Sequence, residues 1–214
     1  MIRVFEAFAG IGGFRSGLER VGGFKIVGWC EIDKFAQKAY RILFDTGKKE
    51  FYEDITKIDY RTMPDFDLLV GGPPCQSWSY AGLRKGFEDD RGYMFLEYIR
   101  ILEAKKPKYF VAENVAGLLS HSEGRSYGII LKKICELGYS VCWRVLNSAN
   151  FGVAQDRKRV YLVGYLGERS PIEILTFGES GNEDSSESGE QAELKQLIGS
   201  EGRFKYSQVQ HYSK

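Results

Sequence analysis

The stretch Phe8-Ala9-Gly10-Ile11-Gly12-Gly13-Phe14 decides the fold, because an apolar run precedes it and helical spacing follows it. The run Val4–Ala9 is typical of a buried strand, and apolar residues then recur on one helix face as far as Val21, where Gly22-Gly23 stops them. Glycines in such a turn let the backbone bend tightly and approach a ligand without an intervening Cβ. The pattern predicts a strand, a ligand-binding turn and a helix.

The same alternation of strand and helix continues along the chain. Apolar runs predict strands at Phe24–Cys30, Phe66–Val70, Tyr109–Ala112, Val141–Leu146 and Val160–Leu166. Helical spacing predicts three inner faces, formed by Ala36, Ala39, Tyr40 and Leu43, by Phe95, Tyr98, Ile99 and Leu102, and by Tyr127, Ile130, Leu131 and Ile134. We therefore expect an α/β fold, with a mostly parallel sheet and helices on both faces. In such sheets the chemistry lies beyond the carboxyl ends of the strands.

Composition limits the class of protein. The chain has 214 residues, of which 43% are apolar and 28% charged, as expected for one globular domain with a short appendage. The sequence contains no apolar stretch of membrane-spanning length, and its start lacks a signal-peptide layout. Its four cysteines lack the paired spacing of a zinc site. These features predict reduced thiols, no metal site and a cytoplasmic location.

Charge divides the chain into three parts. Residues 1–166 hold 25 Lys and Arg against 20 Asp and Glu, whereas residues 167–202 hold 2 basic and 9 acidic residues. Within the acidic part, residues 178–190 contain no aromatic and no branched aliphatic residue and cannot bury enough surface to offset the entropy of ordering. We expect a cofactor-binding and catalytic domain over residues 1–170, a flexible acidic linker over 171–202 and a tail over 203–214.

Acidic residues follow two of the expected strands. Glu31 stands 21 residues after Gly10, the spacing at which a carboxylate meets the ribose hydroxyls of a nucleotide-like ligand. The dinucleotide fingerprint is not met, because Arg15 takes the place of the third glycine. Asp54, at the next strand end, is either a reader of an adenine amino group or a solvated turn acid.

A cysteine stands where a strand meets a stiff loop, in Gly71-Gly72-Pro73-Pro74-Cys75. Two prolines fix the backbone in front of the Cys75 thiol and present it as an attacking thiolate requires. The alternative, a structural buried thiol, suits the other three cysteines better, namely Cys30, Cys135 and Cys142. With two histidines in the whole chain, a cysteine-protease arrangement is disfavoured.

Further polar groups follow the later strands. Glu113 ends an apolar strand, where a partly desolvated carboxyl shares a proton with a bound base or caps the next helix. Arg157 and Arg159 point the same way if the last strand begins early, and they then supply two fixed cations; the alternative is a solvated basic cluster. The polar stretch Arg84–Gly92 is a loop that could close over a ligand or contact phosphates.

Together, FAGIGGF, the acid at residue 31, PPCQS, DDRG, ENV and QDRKR closely resemble the ordered motifs of the cytosine carbon-5 DNA methyltransferases of bacterial restriction-modification systems. The resemblance covers residues 3–166. It implies a Rossmann-like sheet fold that uses S-adenosyl-L-methionine. The cofactor-binding residues that it implies are Phe8, Ala9, Gly10, Ile11, Gly12, Gly13, Glu31, Ile32, Asp54, Ile55 and Pro74.

The resemblance also implies a reaction, transfer of the cofactor's methyl group to carbon 5 of cytosine in double-stranded DNA. Cys75 would attack carbon 6 of a flipped-out cytosine, Glu113 would engage the ring nitrogen and amino group, and Arg159 would hold the base carbonyl. Arg157 would steady the catalytic loop or a phosphate. The nucleic-acid contacts implied are Gln76, Ser77, Ser79, Arg84, Lys85, Arg91 and Gln155. Such enzymes protect DNA from a cognate restriction nuclease in a bacterial or archaeal cell.

The sequence departs from the family after the last of these motifs. Relatives continue with a target-recognition domain and a returning carboxyl-terminal helix, whereas this sequence stops about 50 residues after Arg159. We expect the larger subunit of a split enzyme, whose partner supplies recognition and the helix; a truncated product is the alternative. Two rival functions stay open, a tRNA cytosine-5 methyltransferase and a catalytically incomplete cofactor- or DNA-binding subunit.

Overall fold

The computed structural model describes residues 1–47, 49–74 and 93–167. The chain divides into two compact units, Met1–Asn114 and Val115–Lys214. The expected linker over 171–202 and the tail over 203–214 lie outside the described residues. In the part of the chain that is described, no helix is both long and apolar enough to cross a membrane.

The first unit is built on parallel strands. Its elements are β1 (Ile2–Ala7), α1 (Gly13–Val21), β2 (Phe24–Cys30), α2 (Lys34–Leu43), β3 (Glu50–Tyr52), β4 (Leu68–Gly71), α3 (Tyr93–Lys105) and β5 (Tyr109–Val115), with a 3-10 turn at Ile55–Lys57. β1 lies between β2 and β4, β3 pairs with β2, and β5 pairs with β4, all in parallel. The chain leaves β1 toward β2 and later returns to its other side at β4. This reversal creates a crevice at the carboxyl ends of β1 and β4, where ligands bind in such sheets.

Helices cover both faces of these strands. Val4 packs on one face with Ile26 and Val70, and Phe14 and Leu18 of α1 lie against that cluster. Its neighbour Phe5 points to the opposite face, as alternate residues of a strand do. On the α3 side the ring of Tyr98 meets Phe110 edge-on at 6.2 Å between centroids. The predicted α/β fold, with a mostly parallel sheet, is confirmed.

The described part of the second unit is a helix and an antiparallel strand pair. α4 (Arg125–Glu136) precedes β6 (Tyr139–Asn147) and β7 (Lys158–Leu166), with 3-10 turns at Ala116–Leu118 and Ser148–Phe151. Tyr139 pairs with Leu166 at one end of the ladder and Asn147 with Lys158 at the other. The residues between Asn147 and Lys158 therefore form a closed loop at the end of the ladder.

Most predicted helix faces are buried, and two residues differ. The faces of α3 and α4 predicted from helical spacing are all buried. The prediction was wrong for Leu43 and Val21, which are 61% and 80% exposed. Both lie in the last turn of their helices. After α2 the chain turns into an extended conformation at Phe44, whose ring packs 5.1 Å from that of Tyr40 and takes the inner position.

Candidate cofactor and catalytic site

The turn after β1 is held in an unusual backbone conformation. Phe8, Gly10 and Gly12 all have positive φ angles, of 52°, 55° and 91°. The predicted strand to Ala9 is therefore two residues too long, because a left-handed backbone at Phe8 ends it at Ala7. The Ala9 N–H donates to the carbonyl of Cys30 at 2.9 Å, which brings the turn against the end of β2.

Gly12 lies where only glycine fits. An added Cβ would fall within the ring of Phe44. The positive φ angle is a second reason, since residues with a Cβ adopt it at a cost. The turn can thus lie close to the end of α2 and begin α1 at Gly13.

Glu31 meets the turn, as its spacing predicts. One carboxylate oxygen accepts the N–H of Gly10 at 2.7 Å, and the other accepts the N–H of Asp33 at 2.8 Å. A carboxylate oxygen has two lone pairs, so both oxygens retain an acceptor position for hydroxyl groups. Glu31 is half-buried at the carboxyl end of β2. This geometry suits a ligand with two adjacent hydroxyls.

A cleft opens beside Glu31, beyond the ends of β2 and β3. It has a volume of about 430 Å³ and is lined by Ile32, Phe51, Tyr52, Glu53, Asp54, Lys57 and Ile58. The side chain of Ile32 is 66% exposed and offers an apolar contact. Aromatic and aliphatic walls with acidic groups fit a flat heterocycle that carries an amino group.

Asp54 caps a turn and also borders the cleft. Its carboxylate caps the 3-10 turn by accepting the N–H and hydroxyl of Thr56 at 3.0 and 2.7 Å. The hydroxyl hydrogen bond is the main reason why the pKa of Asp54 is lowered, and Lys57 contributes from 3.2 Å. The same residue lines the cleft. Ile55, by contrast, is only 4% exposed, so its side chain belongs to the core.

The ends of β4 and β5 meet at a second point of the crevice. A Cβ on Gly72 would lie 3.1 Å from a carboxylate oxygen of Glu113. The buried side chain of Asn114 donates to the carbonyl of Pro73 at 3.0 Å. Glu113 therefore lies beside the segment that leads through the exposed Pro74 to residue 75. The remaining predicted residues of this loop lie outside the described residues, namely Cys75, Gln76, Ser77, Ser79, Arg84, Lys85 and Arg91.

The basic motif of the second unit is a braced turn. Asn147 accepts the N–H of Arg157 at 3.1 Å and donates to Asp156 at 2.8 Å. Ser148 donates to the carbonyl of Gln155 at 2.5 Å. β7 begins at Lys158, so the strand alternation that would align Arg157 with Arg159 does not reach Arg157. Gln155 and Arg157 are exposed, whereas Arg159 is half-buried.

A comparison with protein families identifies the chain. The sequence model of the C-5 cytosine-specific DNA methylases matches residues 2–213. The chain belongs to this family.

Individual relatives agree with the assignment to the methylases. The orphan methyltransferase M.SPRI of Bacillus phage SPR is 44% identical over 164 residues, covering 76% of this chain and 37% of its own length. The type II methyltransferase M.NgoBV of Neisseria gonorrhoeae is 39% identical over 208 residues, covering 92% and 49%. The crystal structure of the S. pombe Dnmt2 methyltransferase superimposes with a TM-score of 0.65 at 25% identity, covering 84% of this chain and 57% of that one. The chain spans about half or less of the length of these two curated relatives.

The other thiols of this methylase behave as structural residues. Cys30 and Cys142 are buried and Cys135 is half-buried. Burial raises the pKa of Cys30 and of Cys142 to about 12 and that of Cys135 to about 11. Thiols of this kind are protonated at neutral pH and are poor nucleophiles. The burial of Cys30 and Cys142 agrees with the interpretation as structural thiols, whereas Cys135 is only half-buried.

Two polar groups of the chain were not predicted from the sequence. One is a buried cluster of Glu6, Arg15 and Tyr40 behind the glycine turn, and the other is Asn147. The sequence does contain an indication of the buried cluster, since Glu6 is a charged residue within an apolar strand. Arg15 was noted only because it interrupts the glycine fingerprint.

Proposed function

We propose that this chain carries the catalytic part of a DNA methyltransferase, which transfers the methyl group of S-adenosyl-L-methionine to carbon 5 of cytosine in double-stranded DNA. One observation supports this most, the carboxylate of Glu113 beside Gly72 and the Pro-Pro-Cys segment. An acid at this position can engage the base that the Cys75 thiol attacks. In this proposal residues 1–170 form the cofactor-binding and catalytic domain.

The cofactor site lies at the adjacent strand ends. Glu31 would accept the two ribose hydroxyls, while Ile32 and Asp54 would contact the adenine in the cleft. The glycine turn, together with Phe8, Ile11 and Pro74, would border the rest of the molecule. When bound, S-adenosyl-L-methionine supplies an electrophilic methyl group on a sulfonium centre.

Carbon 5 of cytosine is a weak nucleophile, so the protein must activate the ring. The Cys75 thiolate adds to carbon 6, and the electron pair of the carbon 5–carbon 6 double bond becomes available at carbon 5. Glu113 protonates the ring nitrogen and holds the amino group, while Arg159 holds the base carbonyl. Carbon 5 would take the methyl group as the bond from methyl to the sulfonium sulfur breaks. A base then removes the proton from carbon 5, the bond from carbon 6 to sulfur breaks, and the thiolate is released. The ring nitrogen returns its proton to Glu113 as the carbon 5–carbon 6 double bond re-forms.

The target atom is inaccessible within a stacked duplex. The base therefore has to leave the helix, at a cost of roughly a few kcal/mol. Gln155, Arg157 and the loop that carries Gln76, Ser77, Ser79, Arg84, Lys85 and Arg91 are the proposed DNA contacts. In this proposal a second subunit supplies target recognition. The biological role is protection of DNA from a cognate nuclease in the bacterial or archaeal cytoplasm.

The experiment measures transfer of labelled methyl groups to mixed-sequence duplex DNA and, in parallel, to tRNA. The chain is tested alone and with the polypeptide encoded beside it. We expect label on carbon 5 of cytosine in DNA, its loss in Cys75→Ser, and retained activity in the matched control Cys135→Ser. Glu113→Gln should slow transfer by roughly 10²- to 10⁴-fold, the usual effect of a positioned proton donor.

Four other outcomes would contradict parts of this proposal. Label in tRNA and not in DNA would replace the proposed substrate. Normal turnover by Cys75→Ser would remove Cys75 from the nucleophile role, and a loss below tenfold in Glu113→Gln would leave Glu113 as a structural cap. Cofactor binding without transfer to either nucleic acid, with the partner present, would favour a binding subunit.

A further inference from the structure

A carboxyl group is buried in the central strand, directly before the cofactor turn. Glu6 of β1 is fully buried. One of its oxygens accepts the backbone N–H of Arg15 at 3.2 Å, and the other accepts the hydroxyl of Tyr40 at 2.8 Å. A buried carboxyl with one donor on each oxygen is satisfied, whereas loss of either donor leaves an acceptor unpaired.

Arg15 extends this cluster to the far side of the turn. Its side chain is 4% exposed, and its guanidinium bonds to Glu19 at 2.6 Å and to the carbonyl of Asp45 at 2.8 Å. The same group lies 3.4 Å from the hydroxyl oxygen of Tyr40 and 4.6 Å from the ring centre of Phe44. Arg15 thus connects α1 with α2 and with the segment that follows α2.

The residues of this cluster and Phe44 flank the turn from Phe8 to Gly12. Glu6 lies two residues before Phe8, and Arg15 lies three residues after Gly12. Phe44, which the guanidinium covers, is the residue whose ring abuts Gly12. The positive φ angle of Phe8 persists only if the surroundings impose it, since a residue with a Cβ pays roughly 1–3 kcal/mol for that conformation.

We infer that Glu6, Arg15 and Tyr40 are positioning residues that hold the turn from Phe8 to Gly12 in the shape required for cofactor binding. This inference rests on the proposed function, because it assigns the turn to S-adenosyl-L-methionine. The cluster lies behind the turn and is buried, so it acts through the backbone and does not touch the ligand. Without it, the turn samples other conformations and the fraction competent to bind falls.

A matched pair of substitutions separates this role from general stability. Tyr40→Phe removes the hydroxyl that donates to Glu6. Tyr60→Phe removes a hydroxyl that donates at 3.2 Å to Glu97, another buried carboxylate of the same unit, which Arg100 pairs at 2.6 Å. Both changes delete one hydrogen bond to a buried carboxyl, but the Tyr60 hydroxyl bonds to α3 and not to the turn.

Two measurements are made on the wild-type chain and on both variants. Hydrogen–deuterium exchange reports the opening of residues 8–16, and calorimetry reports the affinity for S-adenosyl-L-methionine. We expect Tyr40→Phe to speed exchange in residues 8–16 and to weaken binding by about tenfold, the equivalent of one hydrogen bond to a charged group. Tyr60→Phe should leave both quantities within about twofold of wild type.

Equal exchange in residues 8–16 for the two variants would overturn the inference, whatever their stabilities. Faster exchange in Tyr40→Phe with unchanged affinity would also overturn it, since the turn would then be irrelevant to the ligand. Wild-type chain that binds no S-adenosyl-L-methionine, alone or with its partner, would refute the proposed function instead. These outcomes are distinguishable because exchange is measured without ligand.

Discussion

Replacing Glu6 by glutamine tests the charge state of a carboxyl group at the centre of the sheet. Burial raises the pKa of Glu6 to about 7, and the nearby carboxylate of Glu19 acts in the same direction. The hydroxyl of Tyr40, the backbone N–H of Arg15 and the Arg15 guanidinium oppose this rise. Glutamine has nearly the same shape and keeps one carbonyl oxygen for these donors, but it does not titrate.

The change in the free energy of unfolding with pH follows from the pKa of Glu6 in the folded and in the unfolded chain. In the unfolded chain Glu6 has an ordinary pKa of 4.5, so the folded protein holds the proton more tightly. The resulting stabilisation is complete below pH 4.5 and is lost as the pH rises through about 7. It amounts to about 3 kcal/mol in total, most of which is lost between pH 5 and pH 8.

Urea unfolding followed by circular dichroism measures this difference. The free energy of unfolding is determined for wild type and Glu6→Gln between pH 5 and pH 8, and the two curves are subtracted so that all other titrating groups cancel. We expect wild type to lose roughly 2–3 kcal/mol relative to the variant over this range. A difference that stays constant to within about 0.5 kcal/mol would refute the reasoning, because burial would then not perturb the carboxyl.

Three other substitutions test the turn, the cleft and the basic loop. Gly12→Ala places a methyl group in the ring of Phe44 at a positive φ angle and should reduce the free energy of unfolding by about 2–4 kcal/mol; a urea-melt loss below about 1 kcal/mol would mean that the ring moves aside. Asp54→Ala removes a cap worth about 1 kcal/mol and should weaken S-adenosyl-L-methionine binding by about tenfold in calorimetry; unchanged affinity would leave Asp54 as a cap alone. Asn147→Ala frees the backbone at Arg157 and should lower methyl transfer to DNA without changing cofactor affinity; a parallel loss of both would indicate a general folding defect.

Local sequence pattern sufficed for the fold class and for much of the site. Alternating apolar runs and helical faces predicted the strands and helices because burial imposes those periods on any sheet covered by helices. The spacing of Gly10 and Glu31 predicted an acid at the ligand-binding turn, and in the structure Glu31 accepts the N–H of Gly10 because parallel neighbouring strands end at the same edge. The cysteine that follows two prolines and Glu113, near the end of β5, were selected in the same way, and their roles stay predictions.

Contacts between distant residues could not be found from local pattern. Glu6 meets Tyr40 across 34 residues, and Arg15 meets Asp45 across 30. The position of Glu6 in an apolar strand indicates burial, but nothing near it in the sequence identifies its hydrogen-bond partners, because they come from two separate helices. The exposure of Leu43 also could not be found from local pattern. The ring of Phe44 takes the inner position only because the chain turns after α2.

The sequence by itself determined the order of most strands and helices, the candidate site residues at the strand ends, and membership of a methyltransferase family. Short-range periodicity and motif spacing carry that information because strand direction and turn geometry are local properties. Only the tertiary structure decided how the glycine turn after β1 is held. It also decided that Asp54 accepts hydrogen bonds from Thr56 and that Asn147 braces the basic loop. Those features depend on which side chains meet after the helices pack on the sheet, and packing is a property of the whole unit.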